Sequence, residues 1–197
     1  PTLEHLAEAH DVQLVVTQPD RPSGRGRALT PTPVGAWADE SGLPCFKVLD
    51  INTPDSIERI RSIQADAWVI IAFGQKLGAE LLADRFAMNL HASLLPRHRG
   101  AAPIHHAILS GDRTTGLSVI TIADRIDAGD IMGSCVTEIR PDETTGELHD
   151  RLAELGPDVI EQVLTAHQSD ALQPVQQDES LVTMASKLSK SMATVRF

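Results

Sequence analysis

TPDSIERIRSIQADAWVIIAF, residues 53–73, decides the fold class of this chain. Its first part places Ile57, Ile60 and Ile63 three residues apart behind a Thr-Pro start, the pattern of an amphipathic helix over residues 53–64. Its last part, AWVIIAF at 67–73, is apolar throughout. A strand with one wet face would alternate, so an unbroken apolar run after a helix predicts a parallel strand covered on both sides.

The same alternation extends in both directions. Toward the C-terminus the sequence predicts a helix near 76–84, a strand near 86–91 (FAMNLH), a helix near 103–110 and a strand near 116–122 (GLSVITI). From about residue 129, DIMGSCVTEI reads as a further strand. TTGELHDRLAELGPDVIEQVLTAH then reads as a long helix, with Leu148, Leu152, Leu155 and Ile160 near one face and a capping box from Thr144 to Glu147. Toward the N-terminus, PTLEHLAEAH is helical and VQLVVT (12–17) is a strand. QPDRPSGRG is a long loop, and a short helix starts at Pro33 and ends near Gly42. Strands alternating with helices imply an α/β fold with a mostly parallel sheet and helices on both faces. After Ser169 the chain turns polar and irregular, as a linker does. The expected organisation is a domain over 1–168 and a linker over 169–197.

Composition narrows the function. A chain of 197 residues, 42% apolar, can bury a core without covalent staples. No apolar run approaches the roughly 20 residues that span a bilayer, and no signal-peptide pattern opens the sequence, so a soluble location is expected. Cys45 and Cys135 lack CxxC or His-rich spacing and read as reduced structural thiols. A formal charge of -10 argues against a surface that binds nucleic acid everywhere. It leaves room for a local basic loop, and Arg21, Arg25 and Arg27 form one among prolines and glycines; exposed arginines of this kind attract phosphates.

Asn89 and His91 in N-L-H point to one side of their strand, at its C-terminal end, where α/β sheets open ligand crevices. The Pro- and Gly-rich ASLLPRHRGAAP that follows can wrap a ligand. Asp127, in the D-A-G loop after the next strand, reaches the same edge if the two strands are neighbours. Spacing alone leaves two readings of this trio: polar strand ends satisfying local hydrogen bonds, or a reactive site. His98, His105 and His106 lack ligand spacing with His91, so no metal is expected.

VVTQPDRPSGRGRALTPTPV, NLHASLLPRHRGAAPIHHAILSGD, IDAGDIM and TTGELHDRLAELG occur here in the order, and at about the distances, seen in the methionyl-tRNA formyltransferases, and the chain resembles that family over nearly its whole length. The N-x-H-x-SLLP-x-x-RG segment resembles formyltransferases that use 10-formyltetrahydrofolate in general, whereas QPDRPxGRG and RGAAPI resemble the tRNA enzymes more narrowly. The resemblance implies a Rossmann-like formyltransferase fold that lacks its first strand here and leads toward an absent C-terminal OB-type domain. It implies direct formyl transfer to the α-amine of methionyl-initiator tRNA, with Asn89, His91 and Asp127 catalytic and no metal. It also implies that Ser93, Leu94, Leu95, Pro96, Phe73 and Gly74 bind folate, and that Arg21, Arg25 and Arg27 approach tRNA, Arg25 being the closest match to a contacting arginine. A cytoplasmic monomer of bacterial or organellar type, with no membrane partner, is expected. Two other readings stand beside it: a formyltransferase acting on a small amine such as glycinamide ribonucleotide or an amino sugar, and a noncatalytic folate- or RNA-binding remnant.

Overall fold

The computed structural model describes residues 1–24 and 27–189. They form two compact units, one of residues Leu3–Ala87 and one of Pro1–Thr2 with the chain from Met88 onward.

The Leu3–Ala87 unit carries most of α1 (Thr2–Ala9), then β1 (Val15–Thr17), β2 (Arg21–Ser23) and β3 (Ala28–Thr30). It continues through α2 (Pro33–Glu40), β4 (Cys45–Lys47), α3 (Pro54–Arg61), β5 (Trp68–Ile71) and α4 (Ala79–Leu82). Both Pro-started helices form where the sequence puts them. Thr32 and Thr53 accept from the backbone N–H groups of Gly35 and Ser56, and each cap is followed by Pro at the first helical position. Ile57 and Ile60 of α3 join Val48, Ile51, Leu77 and Leu81 in the buried core, with Trp68 and Ile70 of β5 packed against it. β1 and β4 pair in parallel, Val15 opposite Cys45. The segment expected as a long loop is instead an antiparallel hairpin of β2 and β3, Arg21 opposite Thr30. Its turn contains Gly24 at φ 68°, a left-handed conformation that glycine adopts without steric cost.

The second unit contains β6 (Ala87–His91, from its second residue), α5 (Pro103–Leu109), β7 (Thr114–Thr121), β8 (Ile131–Glu138) and α6 (Thr145–Gln168). Two strand pairs of this unit, β6 with β7 and β7 with β8, are antiparallel, whereas β1 and β4 pair in parallel. The reason lies in the connection: only residues 122–130 join β7 to β8, too few for the crossover of a dozen or more residues that a parallel pair needs. β7 is almost wholly buried, and α6 lays Leu148, Leu152, Val159, Ile160 and Val163 against this sheet. Gly133 lets α6 approach, since a Cβ there would stand 2.7 Å from a Val163 methyl carbon. The capping box is present: Thr144 Oγ1 accepts from Glu147 N and the Glu147 carboxylate accepts from Thr144 N at 2.8 Å. Burial pushes the thiols of both Cys45 and Cys135 up, as suits unreactive structural cysteines.

Arg151 on α6 grips Glu143 with a two-pronged ion pair, both N···O distances 2.8 Å, and this holds the Glu143 carboxyl at about 2, down from 4.5. A carboxyl lowered on folding stabilises above its unfolded value and loses that contribution as pH falls toward its folded one. Glu143→Gln should therefore lower the thermal midpoint at pH 7, and the gap from wild type should narrow steadily between about pH 4.5 and pH 2. Calorimetry across that range checks it; a gap that widened on acidification would contradict the assignment.

The described part of the polar tail is tied back to the second unit. Val175 N donates to Ile131 O and Ile131 N to Val175 O, both at 2.8 Å. Further along, Ala185 N donates to Arg99 O at 2.7 Å and Ala185 O accepts from Ala102 N at 3.1 Å, with Ala185 fully buried. A short 3-10 turn, Glu179–Leu181, lies between these ties. Among the described residues, no helix is long and apolar enough to cross a membrane.

Candidate active site

His91 ends β6, 6% exposed and opposite Ser118 of β7. Its Nε2 lies 2.9 Å from the His98 carbonyl oxygen. A carbonyl only accepts, so Nε2 carries the proton and donates. Nδ1 is left for the site, 3.5 Å from Asp127 Oδ2, an ion-pair separation rather than a close hydrogen bond. β7 lies beside β6 with its end, Thr121, opposite Met88, and the loop after β7 runs back far enough to bring the Asp127 carboxylate to His91.

Asp127 is anchored on both sides. Its Oδ2 accepts from Gly100 N at 2.8 Å, and its backbone, at φ 49°, sits in a turn closed by Ala128 N donating to Arg125 O. Asn89, two residues before His91, is half-buried, and its side-chain amide makes no hydrogen bond to the described residues. An amide donor left open beside a buried imidazole is a ready partner for a ligand oxygen.

The SLLP loop is shaped from below by Ser118. Its hydroxyl donates to Ser93 O at 2.8 Å and accepts from Leu95 N at 3.1 Å, while Ser93 Oγ donates to Arg97 O at 2.6 Å. Ser93 and Leu95 are buried, leaving Leu94 and Pro96 half-exposed as an apolar rim. Arg97 and His98 both bond Asp112, each at 2.7 Å, which fixes the far end of the loop.

Phe73 and Gly74 lie in the other unit, as do Arg21 and Arg27. Gln18 ties them to each other: its Nε2 donates to Phe73 O at 2.8 Å, and its Oε1 accepts from Arg21 Nη2. Gly74 is needed there, at φ 80°, because a Cβ would stand 2.9 Å from Gln18 Nε2. Arg21 and Arg27 are exposed on the hairpin, and Asp20, the one acid in the basic loop, is engaged by Lys47 at 3.0 Å. Arg25 lies outside the described residues. Sequence reasoning missed Gln18, and it missed Arg99 and Gln177, whose buried side chains meet beside Asp127. Arg99 stands in the RG of the recognised segment, whereas Gln177 sits in a polar stretch with no periodic signal.

Among the described residues no cluster of three or more His, Cys, Asp or Glu is arranged to hold a metal ion.

An amide, an imidazole and a carboxylate stand near one strand end, groups able to stabilise an oxyanion and move a proton. The chain belongs to the formyl transferase family, whose model, described as Formyl transferase, matches residues 3–164. It is 46% identical over 196 residues to the methionyl-tRNA formyltransferase of Methylococcus capsulatus, covering 98% of this chain and 64% of that protein. It thus spans a little under two-thirds of that relative's length. Among solved structures it is similar to phosphoribosylglycinamide formyltransferase from Bacillus halodurans, with a TM-score of 0.70 and 21% identity over 86% of this chain and 91% of that one. It is also similar to an N-formyltransferase from Helicobacter canadensis, in complex with folinic acid and dTDP-3-aminofucose, with a TM-score of 0.73 and 15% identity over 94% of this chain and 66% of that one. At these identities the two structures speak to the fold.

Proposed function

We propose that this protein transfers the formyl group of 10-formyltetrahydrofolate to the α-amine of methionyl-initiator tRNA. The observation that carries the reading is the Asn89–His91–Asp127 constellation within a chain that is 46% identical to a methionyl-tRNA formyltransferase. The residues present fit a folate donor: the open Asn89 amide suits a formyl oxygen, and the half-exposed Leu94 and Pro96 suit an apolar ring. Bound there, the folate supplies the formyl group and a leaving nitrogen.

The side chains divide the remaining work. Asn89 donates an N–H to the formyl oxygen, where negative charge grows as the amine attacks. His91, its Nε2–H committed to the His98 carbonyl, offers Nδ1–H to the same oxygen when charged, with the Asp127 carboxylate 3.5 Å away. Asp127 also accepts the proton that the amine loses. Ser93–Pro96 hold the donor. Arg21, Arg25 and Arg27 meet the phosphates of the tRNA acceptor end, contacts that position RNA without reading its sequence.

Acceptor competition tests the assignment. Given 10-formyltetrahydrofolate, the protein should formylate methionyl-initiator tRNA and leave glycinamide ribonucleotide and dTDP-amino sugars untouched. Formylation of either small amine with no reaction on the tRNA would overturn the acceptor. Arg21→Ala should weaken tRNA binding and flatten its log–log salt dependence by roughly one unit, with the KM for folate unchanged.

A further inference from the structure

The carbonyl oxygens of Asp127 and Gly129 flank the peptide segment that presents the Asp127 carboxylate. Both accept from one nitrogen, Gln177 Nε2, at 2.8 and 2.7 Å. Gln177 is 5% exposed, and its Oε1 accepts from Arg99 Nε and Nη2 at 2.9 and 2.7 Å. Every donor and acceptor of the amide is thereby used inside the protein. Arg99 is itself 3% exposed and directly follows His98, whose carbonyl holds the His91 ring. One buried side chain thus joins the loop that fixes His91 to the loop that carries Asp127.

Asp127 needs such a clasp. Its φ of 49° is a conformation that residues with a side chain seldom adopt, and one that persists only where the surroundings demand it. Gly100 N restrains the carboxylate, but among the described residues only Gln177 holds the backbone carbonyls on both sides of Ala128.

We infer that Gln177 is a positioning residue for the transfer reaction, setting the Asp127 carboxylate against His91 through the Asp127 and Gly129 carbonyls and the Arg99 guanidinium. This rests on the reading of the trio given above. Gln177→Glu keeps the shape and the acceptor for Arg99 but turns lone pairs toward the two carbonyls. Gln177→Met keeps the length and removes both polar ends.

The test compares these two variants in the full chain, alone and combined with Asp127→Asn. Displacement of a catalytic group by about 1 Å costs on the order of 10²-fold in rate, so kcat should fall by that order while KM for donor and acceptor holds. On top of Asp127→Asn the same changes should cost no more than about twofold, because the group they place is already disabled. Crystal structures of the variants should show the carboxylate moved from its 3.5 Å separation from His91 Nδ1. The inference is overturned by an unchanged kcat, by a rise in KM alone, by a full additional rate loss in the Asp127→Asn background, or by a carboxylate that stays in place. If the wild-type protein formylates no acceptor while the carboxylate still moves in the variant crystals, the functional reading falls and what stands is that Gln177 sets Asp127 against His91.

Discussion

His91→Ala should lower kcat for formyl transfer by about 10²- to 10³-fold, the usual cost of deleting one donor to a developing oxyanion. The ring is buried, donates to the His98 carbonyl through Nε2 and faces Asp127 with Nδ1. On the proposed mechanism its removal withdraws a donor from the formyl oxygen and leaves the Asp127 carboxylate without its imidazole neighbour. KM for the folate should change little, because Leu94, Pro96 and Asn89 stay in place. Single-turnover formylation of methionyl-tRNA reads the effect. Because two partners of one site are involved, the loss in a His91→Ala, Asp127→Asn double variant should fall well short of the product of the single losses. A rate undiminished in the single variant would sink the catalytic assignment of His91, whereas no transfer by the wild-type protein would favour a noncatalytic folate- or RNA-binding role.

Gly129→Ala should be the most damaging small change in the D-A-G loop. A Cβ at Gly129 would lie 1.7 Å from the Thr121 carbonyl oxygen, a backbone atom that cannot swing aside as a flexible side chain could. Overpacking typically costs about 1–3 kcal/mol. For a chain of this size that predicts a thermal midpoint lower by roughly 3–10 °C. The segment forced to move also carries the Gly129 carbonyl bonded to Gln177, and across the same junction Thr121 N donates to Asp130 O while Asp130 N donates to Thr121 Oγ1. Activity at a permissive temperature should therefore fall along with stability. Calorimetry and turnover measured on one preparation separate the two effects, and a variant as stable as wild type would show that the loop yields where its geometry says it cannot.

What the sequence makes legible follows the range of the interactions concerned. Helices α2, α3 and α6 announce themselves because their caps, Thr32, Thr53 and Thr144, bond to residues three positions on. The N-L-H pattern places Asn89 and His91 on one side of β6 by local alternation alone. Strand direction was not legible, since an apolar run such as GLSVITI reads the same in either orientation. The three-residue strand Cys45–Lys47 is too short to display a period, and the β2–β3 hairpin was hidden by a Pro- and Gly-rich composition typical of loops. Gln177 was invisible for the opposite reason: its partners Asp127 and Arg99 lie 50 and 78 positions away. No neighbour in sequence hints at them.

That distance has a consequence for how the protein comes into being on the ribosome. Asn89, His91 and Asp127 emerge before α6, but the clasp on Asp127 cannot close until α6 has been made and the segment beyond it has emerged. Contacts so far apart in the chain are slow to form, since loop-closure entropy must be overcome before they give any return. The nascent chain thus gains its sheet and its reactive side chains early and its finished reactive geometry late.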